Sequence, residues 1–147
     1  MSTTKVTKTI VIAILATLVL VSLHFAINRI FQVDEIQNAF MARIIGDNTA
    51  NAYYVNPEIF LLGPLAWLAK TATSSSDFLI TSRLIFLCFF WTNIFLTAKC
   101  AGANLKTTNG LLTLTAAATL APVWDYGFEI RHENIVLTGM LIIMLLF

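Results

Sequence analysis

The sequence predicts an all-α, polytopic transmembrane protein with juxtamembrane helices on its outer face. Three observations carry that prediction. Hydrophobic residues make up 58% of the 147-residue chain and charged residues only 12%, where a soluble domain carries about 25% charged residues. Mean hydropathy is +0.81, and such a composition cannot cover a water-facing surface. Finally, apolar stretches at 9–30, 57–69, 78–98, 110–124 and 135–147 alternate with polar connectors. The net charge of +1 says little about partners, and no basic run points to nucleic acid. Cys88 and Cys100 have neither metal nor redox spacing and read as small buried residues.

The first stretch reads as a retained helix rather than a cleaved leader. "TIVIAILATLVLVSLHFAIN" places 20 uncharged residues between Lys8 and Arg29. A leader's apolar region is about 7–15 residues long and ends at a small-x-small site. About 20 helical residues cross the roughly 30 Å hydrocarbon core. Within this helix His24 and Asn28, one turn apart, read as polar helix contacts.

Charge sets the expected topology. Lys5, Lys8, Lys99 and Lys106 fall in the N-terminal tail and the 99–109 connector, away from every acid. Basic residues favour the cytoplasmic side, so the tail and that connector are expected inside and residues 31–56 and 125–134 outside. Between them the number of crossings must be odd. The 57–69 stretch is broken by Gly63-Pro64 and too short to cross, so it is expected to lie on the outer face. The 78–98 stretch then crosses inward, and 110–124 returns as a thin or tilted span. The last stretch, 135–147, is 13 residues long and has no polar stop. It reads as the start of another span, which makes the chain the expected N-terminal part of a longer protein.

The outer loop has its own pattern. Ile36, Phe40 and Ile44 recur at helical spacing, widened by Met41 and Ile45. Asp34 stands where an N-cap would. The expectation is an amphipathic helix on the membrane surface, with Tyr53 and Tyr54 in an interfacial belt.

Two polar clusters therefore share the outer face. Asp34-Glu35 reads either as a solvated helix start or as a general base beside a lipid-held substrate. "EIRHEN", Glu129 to Asn134, holds four ionisable groups in five residues. It reads either as a charged loop or as a phosphate-binding segment. Arg131 suits phosphate, being always charged and bidentate. His132 can donate a hydrogen bond or titrate near neutrality, and Glu133 is its acidic neighbour. One His among scattered acids has no metal-ligand spacing, so no metal is expected. Arg83, inside an apolar stretch, either snorkels or serves a function.

These residues resemble the start of the GT-C membrane glycosyltransferases, among them the protein O-mannosyltransferases and the lipid A aminoarabinose transferases. The likeness lies in an N-terminal helix, "VDEIQNAF", the Asn-Pro segment "NPEIFLLGPLAWLA", "TSRLIF" around Arg83, and "EIRHENIVL". Asn56-Pro57-Glu58 stands in place of the family's basic-Pro-Pro form, and His132-Glu133 in place of Pro-Asp.

The resemblance implies inverting transfer of a sugar from a polyprenyl-phosphate donor to an acceptor hydroxyl on the external or periplasmic face of the cell (inner) membrane. Asp34 would be the catalytic base, with Glu35 tuning or positioning it or exchanging roles with it. Arg83 or Arg131 would neutralise phosphate, His132 would line the substrate site, and Glu133 would orient the acceptor or Arg131. The expected partners are membrane lipid and the lipid-linked sugar, with no cofactor. A small non-enzymatic membrane protein, a scaffold or transporter subunit, is the alternative.

Overall fold

Five helices and no strand occur among the described residues of this computed structural model, which describes residues 3–46, 65, 67–68, 71–72, 74–120, 124, 127 and 129–147. In chain order they are α1 (Thr3–Asn28), α2 (Val33–Gly46), α3 (Ser75–Cys100), α4 (Thr108–Ala118) and α5 (His132–Leu146). The all-α expectation holds at that level. Two of them, α1 and α3, are long and apolar enough to cross a membrane. At 26 residues each, they run about 39 Å. Of the 110–124 stretch, expected as a tilted span, residues 110–118 fall in α4, whose 11 residues make about 16 Å of helix. Asn56-Pro57 and most of 57–69, with Tyr53 and Tyr54, lie outside the described residues.

Central to the arrangement is α3, which packs against each of the other four helices. Its boundaries follow from local chemistry. Ser74 accepts a hydrogen bond from the Asp77 amide at 3.1 Å and donates to the Asp77 carboxylate at 2.6 Å, a side-chain N-cap. At the other end Gly102 takes φ +75°, which a side chain would oppose. There the Ala103 amide reaches Ala98 O and the Gly102 amide reaches Lys99 O, closing a Schellman motif. The chain thus reverses between α3 and α4.

Contacts between side chains fix the helix directions. Ser22 of α1 accepts from Trp91 of α3 at 3.0 Å, and the C-terminus of α1 meets Arg83. The two helices are antiparallel, so Lys5 and Lys8 lie at the same end as Lys99. Two apolar clusters form the core. Ala39, Ala42, Phe78, Phe86 and Ile130 build one; Ala26, Leu87, Phe90, Ile94 and Ala118 build the other.

The exposed surface is apolar. Leu20, Val19, Phe25 and Ile27 of α1 face outward, as do Met140, Ile143 and Met144 of α5. Outward-facing side chains of this kind suit hydrocarbon rather than water. Against the expectation of two buried cysteines, Cys88 is exposed and Cys100 half-buried. Cys88 lies on the outward side of α3, whose inward residues are Phe86, Leu87 and Phe90.

Polar side chains tie α5 to α3. Thr138 donates to Asn93 Oδ1 at 2.7 Å, and Asn93 Nδ2 donates to Asn134 O at 3.1 Å. Asn134, Thr138 and Leu141 form the buried stripe of α5. Between apolar helices, such hydrogen bonds contribute about 0.6–2 kcal/mol each. Asn93→Leu is therefore expected to lower stability by about 1–3 kcal/mol, measured as the thermal midpoint in detergent against wild type.

Candidate functional site

Where α1 ends, α2 begins and α5 begins, seven charged side chains converge. Glu35 is the deepest. It does not reach solvent, and neither does its partner Arg83. Arg83 Nε donates to Glu35 Oε1 at 2.8 Å, and Nη2 donates to Oε2 at 2.5 Å, a two-pronged pair. The same guanidinium donates to three carbonyls at the end of α1, those of Ala26 at 3.4 Å, Arg29 at 2.6 Å and Ile30 at 3.2 Å. Phe31 covers it, with the Cζ atom 3.9 Å from the ring centroid. Arg83 thus binds the open C-terminus of one helix and the N-terminal turn of another. It does not snorkel.

Glu35 is engaged equally fully. Its Oε2 accepts from the Gln32 amide at 3.0 Å, and its Oε1 faces the Ile130 amide at 3.4 Å. The contact with Gln32 corrects the expected cap. Gln32 O accepts from the Ile36 amide, so Gln32, not Asp34, is the residue that opens α2. Glu35, three residues on, reaches back to it as in half a capping box. One turn later Asn38 Nδ2 donates to Ile130 O at 2.8 Å. Both polar groups of the Ile130 peptide are therefore held by α2, and its side chain is buried against Ala39 and Ala42.

That orientation turns α2 over. Glu35, Ala39 and Ala42 face the protein, while Val33, Ile36 and Phe40 are exposed. Of the apolar stripe expected to lie on the membrane, Ile36 and Phe40 point away from the protein core, whereas Met41 packs against it and Ile44 is half-buried.

Asp34 lies on the outside of this lock, its side chain 62% exposed. It accepts from Arg131 Nη2 at 3.0 Å. Arg131 also donates through Nε to Glu129 Oε2 at 2.8 Å. Glu129 is fully buried, and its other oxygen lies 3.5 Å from Arg29 Nη2. Burial pushes the Glu129 carboxyl above the usual carboxylate range; the nearby charge of Glu35 adds to this, while Arg131 and Arg29 oppose it. Burial works against the Arg131 charge too, but hydrogen bonding to Glu129 and the acids around it outweigh that and hold it more firmly protonated. His132 and Glu133 open α5, with Nδ1 and Oε2 at 3.4 Å, and Glu133 is 61% exposed.

All six candidate residues, Asp34, Glu35, Arg83, Arg131, His132 and Glu133, thus fall at one end of the helices. They divide into a buried pair and a surface group, and the sequence alone did not make that division. Arg29 belongs to the same constellation and was not singled out from sequence, and Glu129 entered there only as part of "EIRHEN", with no role of its own. The available signal was Arg29, a lone cation closing an apolar helix three residues before Gln32. Among the described residues no group of three or more His, Cys, Asp or Glu is placed to hold a metal ion. An open hollow at the start of α3, lined by Leu68, Thr71, Ala72, Asp77 and Thr81, holds one ionisable residue, and Asp77 is occupied in capping. Compared with known proteins, the chain matches no family model, no curated protein and no solved structure.

Removing one partner of a buried ion pair strands the other, at about 3–5 kcal/mol. Glu35→Gln is expected to lose that much in detergent melts. Arg83→Lys, which keeps the charge but has three donors in place of five, should lose nearly as much as Arg83→Met. For Glu129 the folded state favours the protonated form. Its stabilising contribution is present at acid pH and is lost as pH rises from the ordinary carboxylate range through the raised value. Glu129→Gln should remove that part of the decline, read as the difference between the two pH–stability curves.

Proposed function

We propose that the chain is a GT-C-like glycosyltransferase module that moves a sugar from a polyprenyl-phosphate donor to an acceptor hydroxyl. The observation that carries the reading is Asp34, an exposed carboxylate seated on a buried, saturated ion pair and flanked by a guanidinium that suits phosphate. Two apolar helices of spanning length support the membrane setting. The likeness of "VDEIQNAF" and "EIRHENIVL" to the family supports the chemistry.

In this reading the acceptor hydroxyl attacks the anomeric carbon from the face opposite the phosphate. The new C–O bond forms as the bond to the phosphate oxygen breaks, with inversion, and polyprenyl phosphate departs with the electron pair. Asp34 takes the hydroxyl proton. Arg131 offsets the charge developing on the leaving phosphate. Of the two arginines weighed for that role, Arg83 is the poorer, because its N–H groups already serve Glu35 and the end of α1. Glu35 and Arg83 then position the start of α2, and with it Asp34. Glu133 and His132 border the acceptor side.

The lysine end of the helices suits the cytoplasmic side. That puts the N-terminus inside and the reacting end on the external or periplasmic face of the cell membrane. The partners are membrane lipid and the lipid-linked sugar.

Asp34→Asn keeps a hydrogen-bond acceptor for Arg131, so its fold is expected to survive. Its transfer rate should fall about 10²–10⁴-fold in a reconstituted assay with polyprenyl-phosphate sugars. A wild-type rate would remove Asp34 from the role. The non-enzymatic reading has one observation in its favour, the full engagement of Glu35 and Arg83 in holding helices together. It predicts no transfer from any such donor.

A further inference from the structure

Lys5, Lys8, Lys99 and Lys106 lie at the end of the helices away from the candidate site, and all four are exposed. The arginines of the candidate site each have a carboxylate beside them. The lysines differ. The described acids stand at or just before the starts of α2, α3 and α5, at the other end, and among the described residues none of the four lysines belongs to an ion pair.

Packing fixes where these charges are presented. Lys99 sits in the last turn of α3. Lys106 is carried by the connector to α4, where its amide donates to Asn104 Oδ1 at 3.1 Å and Thr107 Oγ1 donates to Asn104 O at 2.7 Å. That connector lies so close to α4 that a Cβ added at Gly110 would collide with Asn104 O. The Ser22–Trp91 bond sets the register of α1 against α3, which puts Lys8 about 9 Å beyond Lys99 along the axis. A headgroup layer about 5–8 Å deep and one extended lysine stem cover that gap.

The same end carries exposed apolar side chains, Ile10 and Ile14 on α1 and Met144 and Leu145 on α5. The contact of Cys100 with Leu141 O places that half of α5 beside the end of α3. A cationic rim bordering an apolar belt matches a molecule with an anionic head and apolar tails; an acidic protein would use the rim alone.

We propose that Lys5, Lys8, Lys99 and Lys106 form a docking surface for the headgroups of anionic phospholipids, whose acyl chains lie along the adjoining apolar side chains of α1 and α5. The headgroups supply the negative charge that carboxylates supply to the arginines at the other end. The inference rests on the membrane setting of the proposed function. It adds a lipid class and a place for it, opposite the transfer site.

The test uses the whole polypeptide reconstituted in phosphatidylcholine bilayers, with spin-labelled phosphatidylglycerol or spin-labelled phosphatidylcholine as the probe. Electron paramagnetic resonance then gives the relative association constant of the two lipids. Phosphatidylglycerol is expected to associate more strongly, and the preference should fall towards unity near 1 M NaCl, where the screening length is about 3 Å. Each Lys→Gln change should lower the preference by up to about fivefold, and the combined Lys8→Gln, Lys99→Gln, Lys106→Gln variant should lose it. Arg43→Gln, an exposed arginine at the other end, should leave it unchanged.

The combined Lys→Arg variant at the same three positions keeps the charge and should keep the preference; its loss there would overturn a surface built on charge. A preference that survives the combined Gln variant would overturn the assignment to these lysines. Displacement of phosphatidylglycerol by a soluble polyglutamate peptide at equal charge would assign the surface to an acidic protein and overturn the lipid. Equal association of both lipids with wild type would overturn the inference and leave the membrane setting standing. Absence of any protein-restricted component with either lipid would overturn both.

Discussion

The Glu35–Arg83 ion pair is the constraint from which the rest of this end of the molecule follows. It is buried on both sides, and its desolvation is offset only because every polar atom is matched. The carboxylate meets two guanidinium nitrogens and two amides; the guanidinium meets the carboxylate and three carbonyls. Four separate segments meet at that point: the end of α1, the first turn of α2, the middle of the first half of α3, and the Ile130 peptide. A pair of this kind confers specificity more than net stability, because any shift of one segment leaves a charge or a peptide group unmatched in an apolar setting.

With the inner layer saturated, the outer layer is where charge remains accessible. Arg131 connects the two, touching buried Glu129 on one side and exposed Asp34 on the other. Arg29 closes the arrangement from α1. Arg29, Arg83 and Arg131 each have a carboxylate beside them, which explains how cations accumulate there without making the end strongly basic. At the opposite end Lys5, Lys8, Lys99 and Lys106 are exposed, with no acid in the neighbouring sequence. The asymmetry that suggested a topology from sequence is thus sharper in three dimensions than in residue counts.

The orientation of α2 shows a rule of apolar surroundings. In a soluble protein Ile36 and Phe40 would face the core and Ala39 and Ala42 would matter less. Here the small residues face inward and the large ones outward. In the proposed membrane setting lipid would solvate Ile and Phe as well as a protein core does, leaving close approach through small side chains and polar matching to decide the packing. The same logic applies to α5, whose inward stripe begins with Asn134 and Thr138 and whose outward residues are Met, Ile and Leu.

By itself the sequence determined the all-helical class, two helices of spanning length, and the placement of both acidic motifs at the ends of apolar runs. Those properties depend on composition and on spacing along the chain, which need no knowledge of neighbours. It did not determine which member of Asp34-Glu35 is buried. Adjacent helical residues point about 100° apart, and the choice is made by what lies opposite, here Arg83, 48 positions away. Nor did it decide which of Arg83 and Arg131 is locked among carbonyls and which stays half-exposed. The tertiary structure decided that, along with the meeting of Arg29, Glu129 and Arg131, because pairing in a low-dielectric setting is a matter of three-dimensional proximity, and residues far apart in the chain carry no mark of it.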